Sequence, residues 1–262
     1  MAKGKFDMSE FLTPAEGVPE SDTTREIAVT DIFDNPLNFY PKPDKGKLGE
    51  LMESIQANGM LEPPTVVPAE NGKYRLISGH SRMNAVRLLA SYKDDAVAER
   101  FQRVLCRVLP SMTTEQEECA VIEANRQRIK SPAVLAQEAE RLTQIYIKRR
   151  EAGEDLPGRI RDRVAEAMQV NKTKLANLSA IKNGLKVPGI RRAWEEGRLP
   201  EAAALEIARM DDNTQYRLLD WMIDNGKPWA IKNVQEFVKT RAKDEQAAED
   251  ETLTGTYEFK VT

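Results

Sequence analysis

The polar residues best suited to contact a nucleic acid lie in residues 161–181, RDRVAEAMQVNKTKLANLSAI. The second half of this segment presents ammonium, hydroxyl and amide groups at helical spacing. Such groups bond phosphates and base edges in the major groove of DNA. We therefore predict a recognition helix, and its predicted DNA-contacting side chains are Lys172, Thr173, Lys174, Asn177 and, directly after this segment, Lys182.

The apolar residues of the same segment have the spacing of a helix-turn-helix. Ala165 lies where only a small side chain allows two helices to cross closely, and residues 169–171 are predicted to form the turn. A glycine is commoner at the position that Gln169 holds. The alternative interpretation is an ordinary helical hairpin within a bundle. The residues predicted to pack the two helices together are Val164, Met168, Val170, Leu175 and Leu178.

The distribution of charge favours the DNA-binding interpretation, although the net charge of the whole chain is only −3. Residues 141–200 contain 14 Lys and Arg against 7 Asp and Glu, whereas residues 201–262 contain 8 against 13. A basic block within an acidic chain is typical of a module that binds a polyanion. On charge alone, a solvated helix face is the simpler interpretation, so the residue pattern carries the prediction.

A second candidate site surrounds Gly79, which joins a predicted strand to a predicted helix. Glycine permits a close approach of the backbone, and the start of a helix offers free N–H groups and a positive dipole end to phosphates. Arg82 adds a charge-assisted contact to the same phosphates. On these residues alone, the simpler interpretation is a tight strand-to-helix turn with a solvated arginine.

Local signals mark the elements that position these residues. Asn71-Gly72 is a strong hairpin signal between two strands. Thr114 and Glu117 are predicted to form a capping box, which starts a helix running to about residue 127. Ser131, followed by a proline at the first helical position, predicts the start of a second long helix. The predicted strands are residues 27–32, 65–67, 74–78 and 104–109.

The hydrophobic pattern predicts an α+β N-terminal domain followed by an all-α helix-turn-helix domain. No strand signal occurs between Arg159 and about Lys243, where the pattern is that of helices joined by short turns. The predicted segments are a flexible arm at 1–25, the α/β domain at 26–130, the helical DNA-binding domain at 131–243 and an acidic tail at 244–262.

Composition argues against several classes of protein. No apolar stretch approaches the roughly 20 residues of a membrane span, and the N-terminus lacks the apolar core of a secretory signal. Cys106 and Cys119 are too few for a disulfide framework or a zinc quartet, so we expect buried thiols in a cytoplasmic protein. His80 is the only histidine, and we expect it to be a loop residue beside the glycine turn rather than part of a metal cluster.

Five pieces of sequence, in order from about residue 27 to residue 210, resemble the ParB family of plasmid and chromosome partition proteins. The predicted helix-turn-helix is the fourth piece. The other four are LGELMESIQANGMLEPPTVV, YRLISGHSRMNAVRLL, IEANRQRIKSPAVLAQE and VPGIRRAWEEGRLPEAAALEIARM. Each piece alone is weak, but five in the right order are a specific match.

The resemblance implies that the α/β domain binds CTP with Mg²⁺, and that the nucleotide drives two protomers into a clamp around double-stranded DNA. A partition ATPase is a further partner that the resemblance implies. Asn125 is the implied contact to Mg²⁺. The implied nucleotide-binding residues are Gly59, Pro63, Gly79, His80, Ser81, Arg82, Asn125 and Arg128.

The chain departs from the family pattern at three places in this site. His80-Ser81 stands where the family often has Glu-Arg, and Glu62 stands where it often has Gln. Ala124 aligns with a Glu that is a metal and catalytic helper in the family; Glu123 lies one residue away, a rotation of about 100° on a helix. The resemblance therefore predicts a site that holds CTP better than it hydrolyses it.

Three functions remain open on the sequence. The first is a sequence-specific DNA-binding partition protein that uses CTP as a switch, and the second is a regulator on a mobile element that uses no nucleotide. The third is a ParB-like nuclease, which requires clustered acids that the glycine turn does not show. We expect self-association to be weak or dependent on a ligand, or to pair strands formed by residues 257–261.

Overall fold

The structure, a computed structural model, describes residues 23–241, which form two compact units that divide between Ile129 and Lys130. The first unit combines strands with helices, which confirms the α+β class predicted for the N-terminal part. The described part of the second unit is helical. The acidic tail, its predicted strand at residues 257–261 and most of the predicted arm lie outside the described residues.

The first unit contains a five-stranded mixed sheet with the order β1-β5-β3-β4-β2. The pairs β1/β5 and β3/β4 are antiparallel, whereas β3/β5 and β2/β4 are parallel. The strands are β1 (Thr23–Ala28), β2 (Ile32–Phe33), β3 (Thr65–Pro68), β4 (Tyr74–Ser78) and β5 (Arg103–Val108).

Four helices accompany this sheet, and the core lies between them and the strands. Ile55, Leu76 and Met83 are buried in that core. Cys106 and Cys119 are buried free thiols, as predicted, and burial raises the pKa of Cys106 to about 11. The helices are α1 (Lys45–Asn58), α2 (His80–Ala90), α3 (Asp95–Arg100) and α4 (Thr114–Ala124).

The strand predicted at residues 27–32 is wrong as a single element. A 3-10 turn at Val29–Asp31 separates β1 from β2, and the two strands lie at opposite edges of the sheet. Val29 and Ile32 are both buried, because one turn of 3-10 helix places residues three apart on the same side. The apolar spacing that suggested a strand therefore comes from this turn.

The predicted hairpin is confirmed, whereas the predicted capping box is displaced by one residue. Asn71 takes the left-handed conformation, with φ 57°, between β3 and β4. The cap of α4 is Thr113, whose hydroxyl accepts from the backbone N–H of Gln116 at 3.2 Å while the Gln116 side chain accepts from the Thr113 N–H at 2.9 Å. Glu117, one residue further along, is thereby placed on the buried face of the helix.

The second unit is a bundle whose core contains Leu185, Ile190, Trp194 and Leu218. Residues 231–241 are also helical. The helices with defined ends are α5 (Pro132–Glu151), α6 (Ile160–Ala167), α7 (Lys172–Gly184), α8 (Pro188–Glu195), α9 (Glu201–Ile207) and α10 (Asp212–Asp224). The predicted start of α5 is confirmed, since the Ser131 hydroxyl accepts from the N–H of Val134 and proline follows it.

The C-terminal end of α7 is fixed by close packing and by one buried amide. A Cβ added to Gly184 would lie 2.3 Å from the carbonyl oxygen of Ala208, so only glycine allows this approach. The Gln215 side chain is completely buried; its amide N–H donates to the carbonyls of Gly184 and Met210, and its oxygen accepts from the N–H of Lys186. These contacts fix the C-terminal end of α7 against the rest of the second unit.

A buried carboxylate joins α4 to the sheet in the first unit. Arg75 of β4 donates two hydrogen bonds to the Glu117 carboxylate, at 3.1 and 2.5 Å, and the Asn35 side-chain amide donates a third at 3.2 Å. The Glu117 side chain is only 4% exposed, whereas Arg75 retains 36%. The hydrogen bonds to Glu117 raise the pKa of Arg75.

We expect Glu117→Ala to destabilise the first unit by about 2–3 kcal/mol, because Arg75 and Asn35 lose their shared acceptor. The cost lies below that of a fully buried pair, since Arg75 can regain water. Glu53→Ala, at an exposed position of α1, is the matched control and should be near neutral. All three tryptophans lie beyond residue 193, so hydrogen exchange of peptides from residues 23–129 is the suitable measurement. Equal protection in the two variants would contradict the assigned role of Glu117.

Candidate functional site

A cavity of about 550 Å³ lies in the first unit where β4 passes into α2. The structure brings six of the eight predicted nucleotide-binding residues to this cavity, and Gly59 and Pro63 are not among its lining residues. Gly59 instead ends α1 in a left-handed conformation, with φ 74°. The predicted residues that line the cavity are Gly79, His80, Ser81, Arg82, Asn125 and Arg128.

Gly79 sets the path of the chain at the mouth of the cavity. Its φ is 87°, in the left-handed region, and a Cβ at this position would lie 2.9 Å from the Cβ of Pro64. Both the backbone angle and the contact therefore require glycine. The turn places the first residues of α2 against the cavity, where the N–H groups of a first helical turn have no partner within the helix. The result is a concave surface suited to an anion.

Arg82 does not lie open in the cavity, because Glu62 already holds its guanidinium. One Nη atom of Arg82 lies 2.9 Å from the Glu62 carboxylate and also donates to the Glu62 backbone carbonyl. The Arg82 side chain is 22% exposed and that of Glu62 is 83% exposed. An exposed carboxylate is thus bound where the sequence predicted a phosphate, and a ligand anion would have to displace it.

His80 is the first residue of α2 and lines the cavity, so the expectation of a loop residue is wrong. Its Nε2 atom is buried and has no hydrogen-bond partner among the described residues. Burial lowers the pKa of His80 to about 4, Asp34 opposes this shift, and Arg87 adds to it. His80 is therefore a neutral imidazole at physiological pH.

Glu123 also lines the cavity, together with Ala124. The rotation of about 100° between neighbouring helical residues does not turn Glu123 away, because α4 ends at Ala124 and the cavity surrounds its last turn. One carboxylate oxygen of Glu123 accepts from Arg126 at 3.2 Å. The other is buried without a hydrogen-bond partner among the described residues. Glu123 was not among the predicted nucleotide-binding residues, and the structure adds it to the lining of the cavity.

Asn125 and Arg128 close the cavity as a connected pair. The Asn125 amide N–H donates to the carbonyl of Val121 at 2.8 Å, and its oxygen accepts from Arg128 at 3.1 Å. The oxygen predicted to bind Mg²⁺ is therefore engaged by a cation already. Among residues 23–241, no group of three or more His, Cys, Asp or Glu side chains is arranged to hold a metal ion.

Arg107 is a lining residue that the sequence prediction missed. It belongs to β5, in which buried and exposed residues alternate, and it lies near the end of that strand on the exposed face. The available signal was local. Exposed and buried residues alternate along β5, and Arg107 is the last exposed residue of that strand before the segment that leads to α4. With Arg107, three arginine side chains, those of Arg82, Arg107 and Arg128, line one cavity.

In the second unit, α6 and α7 are joined by the short turn that the sequence predicted. Gln169 takes the left-handed conformation there, with φ 55°, which explains why glycine would suit this position. The Asn171 side chain accepts from the N–H of Lys174 at 2.6 Å and so caps α7. Ala165 and Leu178 are buried, as expected for residues that pack the two helices.

The three lysines predicted to contact DNA are each paired with a carboxylate from another helix. Lys172 lies 2.9 Å from Asp162 of α6, and Lys174 is paired with Glu201 of α9. Lys182 is paired with Glu140 of α5. Lys182 is five residues beyond Asn177, which places it about 140° around the helix. The structure therefore does not bring Lys182 to the face that carries Asn177.

Two neutral residues of α7 differ from these lysines. The side chains of Thr173 and Asn177 make no hydrogen bond with any other described residue. Thr173 is exposed and Asn177 is half-buried, four residues apart and hence on neighbouring positions of one helix face. This face of α7 presents a hydroxyl and an amide that are available to a ligand.

Residues 14–125 match the family of the ParB N-terminal domain. A probable chromosome-partitioning protein ParB of Helicobacter pylori is 23% identical over 214 residues, or 82% of this chain and 65% of the relative. A nucleoid occlusion protein of Geobacillus thermodenitrificans is 27% identical over 227 residues, or 86% of this chain and 71% of the relative. The chain thus spans about two thirds of the length of these relatives.

The fold is similar to that of a pNOB8-like ParB-N domain, with a TM-score of 0.55 at 11% identity. The match covers 88% of this chain and 98% of that domain. Within residues 23–241, no helix combines the length and the apolar character needed to cross a bilayer.

We expect the first unit to lose stability as the pH falls from about 6.5 towards 4, because the unfolded chain binds a proton at His80 in this range while the folded chain does not. Between pH 7 and pH 5 this linkage is worth about 1–2 kcal/mol. His80→Gln cannot bind that proton, so the variant should show a shallower pH dependence. His80 is the only histidine, and hydrogen exchange of β4 and α2 at both pH values would measure the difference. Parallel pH profiles for the two proteins would show that His80 is not a buried neutral group.

Proposed function

Since the chain is a member of the ParB family, we propose that it is a DNA-binding partition protein whose first unit binds CTP and whose second unit contacts double-stranded DNA through α7. In this proposal the nucleotide acts as a switch that brings two copies of the chain together around DNA. The protein works in the cytoplasm on chromosomal or plasmid DNA.

The observation that carries the nucleotide part is the convergence of a helix N-terminus and three arginines on one cavity. The open N–H groups of α2 and the dipole of that helix attract phosphate oxygens, and Gly79 lets a phosphate approach the backbone. Arg82, Arg107 and Arg128 add charge to neutralise a triphosphate. The matched ParB N-terminal domain includes residues 79–82 and 125, which supports the assignment.

Magnesium would take few ligands from this chain. Glu123 has a buried carboxylate oxygen without a hydrogen-bond partner among the described residues and is the protein group best suited to the ion. The Asn125 oxygen already accepts from Arg128, whose positive charge opposes the approach of a second cation. Mg²⁺ supplies charge neutralisation between the phosphates when it is bound. Because Ala124 contributes no carboxylate, we propose that binding of CTP is stronger than its hydrolysis.

The DNA part rests on the exposed end of α7 and on the turn before it. Asn171 starts the helix, so Thr173 and Asn177 lie within its first two turns, where a recognition helix makes its base contacts. Lys172 and Lys174 lie beside them and are suited to phosphates. Lys182 is left out of this contact set, because it lies about 140° around the helix from Asn177.

A DNA-binding regulator that uses no nucleotide is the second candidate. The carboxylate of Glu62 on Arg82 favours it, since a site evolved to hold phosphates would gain nothing from an anion on its arginine. Titration calorimetry with CTP, ATP and GTP in magnesium, repeated with bound DNA, separates the two candidates. Absence of binding under all of these conditions would favour the regulator. Metal-dependent cleavage of the DNA would favour a nuclease instead.

We expect Glu62→Gln to increase the affinity for CTP by about threefold to tenfold, because the variant keeps the shape of the side chain and removes a competing negative charge from Arg82. Arg82→Ala should weaken binding by about tenfold or more. Glu26→Gln is the matched control, since Glu26 forms an exposed pair with Arg103 at 3.9 Å outside the cavity. Should Glu62→Gln behave like this control, the carboxylate does not compete with the ligand.

We expect Asn177→Ala to cost about 1–3 kcal/mol of binding to a specific duplex and little of binding to random sequence, as for the loss of a base contact. Asn213→Ala, at an exposed position of α10, serves as the control. The duplex would be obtained by selecting fragments of genomic or plasmid DNA that the protein binds. An equal loss on specific and random DNA would remove Asn177 from base recognition.

A further inference from the structure

The lysines at the start of α7 are held by carboxylates from two different helices. Asp162 of α6 lies 2.9 Å from Lys172, and Glu201 in the first turn of α9 is paired with Lys174. The hydrogen bond from Lys172 lowers the pKa of Asp162, and so do Arg159 and Arg161 nearby. The Asp162 carboxylate is therefore charged at neutral pH.

These pairs are not the main contacts that hold α7 in place. The Lys172–Asp162 pair is exposed, with 63% of the Lys172 side chain accessible, and such a pair is worth roughly 0–1 kcal/mol. The Lys174–Glu201 pair is less exposed, at 32% and 24%, and contributes more. The helix is already fixed by the Asn171 cap, by the buried Leu178 and Ile181 and, at its far end, by Gly184. A stabilising role alone therefore does not explain why both acids are placed on these lysines.

The two acids do affect how α7 meets a polyanion. A lysine that is paired with a carboxylate has a counter-ion from its own chain, and a phosphate must displace that carboxylate to bind it. The carboxylate also repels the DNA backbone at short range. Thr173 and Asn177 have no such partner among the described residues, so they can contact base edges without first breaking an ion pair.

We infer that Asp162 and Glu201 are internal counter-ions that withhold Lys172 and Lys174 from phosphates, so that α7 binds DNA of random sequence weakly and depends on its neutral side chains for recognition. This inference rests on the proposed DNA-binding function of α7. Non-specific affinity comes almost entirely from lysine and arginine contacts to phosphates. Two withheld lysines therefore lower the binding to random DNA more than the binding to a specific site.

The test compares double variants of the full chain on a random duplex and on a selected duplex over a series of salt concentrations. Asp162→Asn with Glu201→Gln releases Lys172 and Lys174. The first control, Glu154→Gln with Glu196→Gln, makes the same change in net charge and breaks ion pairs with Arg149 and Arg198 outside α7.

The second control, Glu140→Gln, releases Lys182 on another side of α7. Fluorescence anisotropy gives the affinity of each protein for each duplex. Thermal melting checks that every variant is folded.

We expect the Asp162/Glu201 double variant to bind random DNA about tenfold more tightly at low salt. Its salt dependence should be steeper by up to about 0.9 in log–log slope for each released lysine. The ratio of specific to random affinity should fall. Asp162→Glu with Glu201→Asp keeps both charges and should resemble the wild type, which separates charge from shape.

Equal effects of the Asp162/Glu201 variant and the Glu154/Glu196 control would overturn the inference while leaving the DNA-binding function intact. Failure of the wild type and of every variant to bind any duplex at low salt would overturn the proposed function as well. If only the Asp162/Glu201 variant bound DNA, the two acids would account for the whole of the weak binding of the wild type, which would support the inference.

Discussion

The backbone of Gly79 is the constraint on which the first unit depends. With φ at 87° and Pro64 within 2.9 Å of where a Cβ would be, the chain can turn from the sheet directly into α2. That turn directs the first N–H groups of α2 into a cavity, where Arg107 from β5 and Arg128 from the segment after α4 also arrive. Three separate parts of the chain thus meet beside the turn that Gly79 allows.

The strand–glycine–helix passage could be predicted from the sequence, since its signals are local. Residues 74–78 and the start of α2 lie where the apolar pattern and Gly79 place them. The packing of α7 on α6 was also local in origin, because Ala165 and Leu178 are in one short segment. Short-range patterns therefore predicted the elements of both candidate sites.

Contacts between distant segments could not be predicted in the same way. No local pattern relates Glu62 to Arg82 or Lys174 to Glu201, since the partners lie 20 and 27 residues apart. The split between β1 and β2 was missed because no glycine or proline marks the 3-10 turn between them, so the apolar run appeared continuous. The position of Glu123 beside the cavity depends on where α4 ends, and the local pattern placed that end about three residues too late.

The two candidate sites share a design in which cations are accompanied by carboxylates of the same chain. Arg82 has Glu62, and the first lysines of α7 have Asp162 and Glu201. In such a protein, binding of a polyanion is an exchange of partners and depends on how well the new anion fits.

The buried amide of Gln215 also limits where the length of the chain can change during evolution. It bonds to the backbone on both sides of the connection that follows α7 and to Met210 before α10, so an inserted residue in either connection would break several buried hydrogen bonds at once. Residues 151–155 are exposed throughout. Insertions and deletions among related sequences should therefore occur mainly in the connection between α5 and α6, rather than in the connections from α7 to α8 and from α9 to α10 that Gln215 bridges.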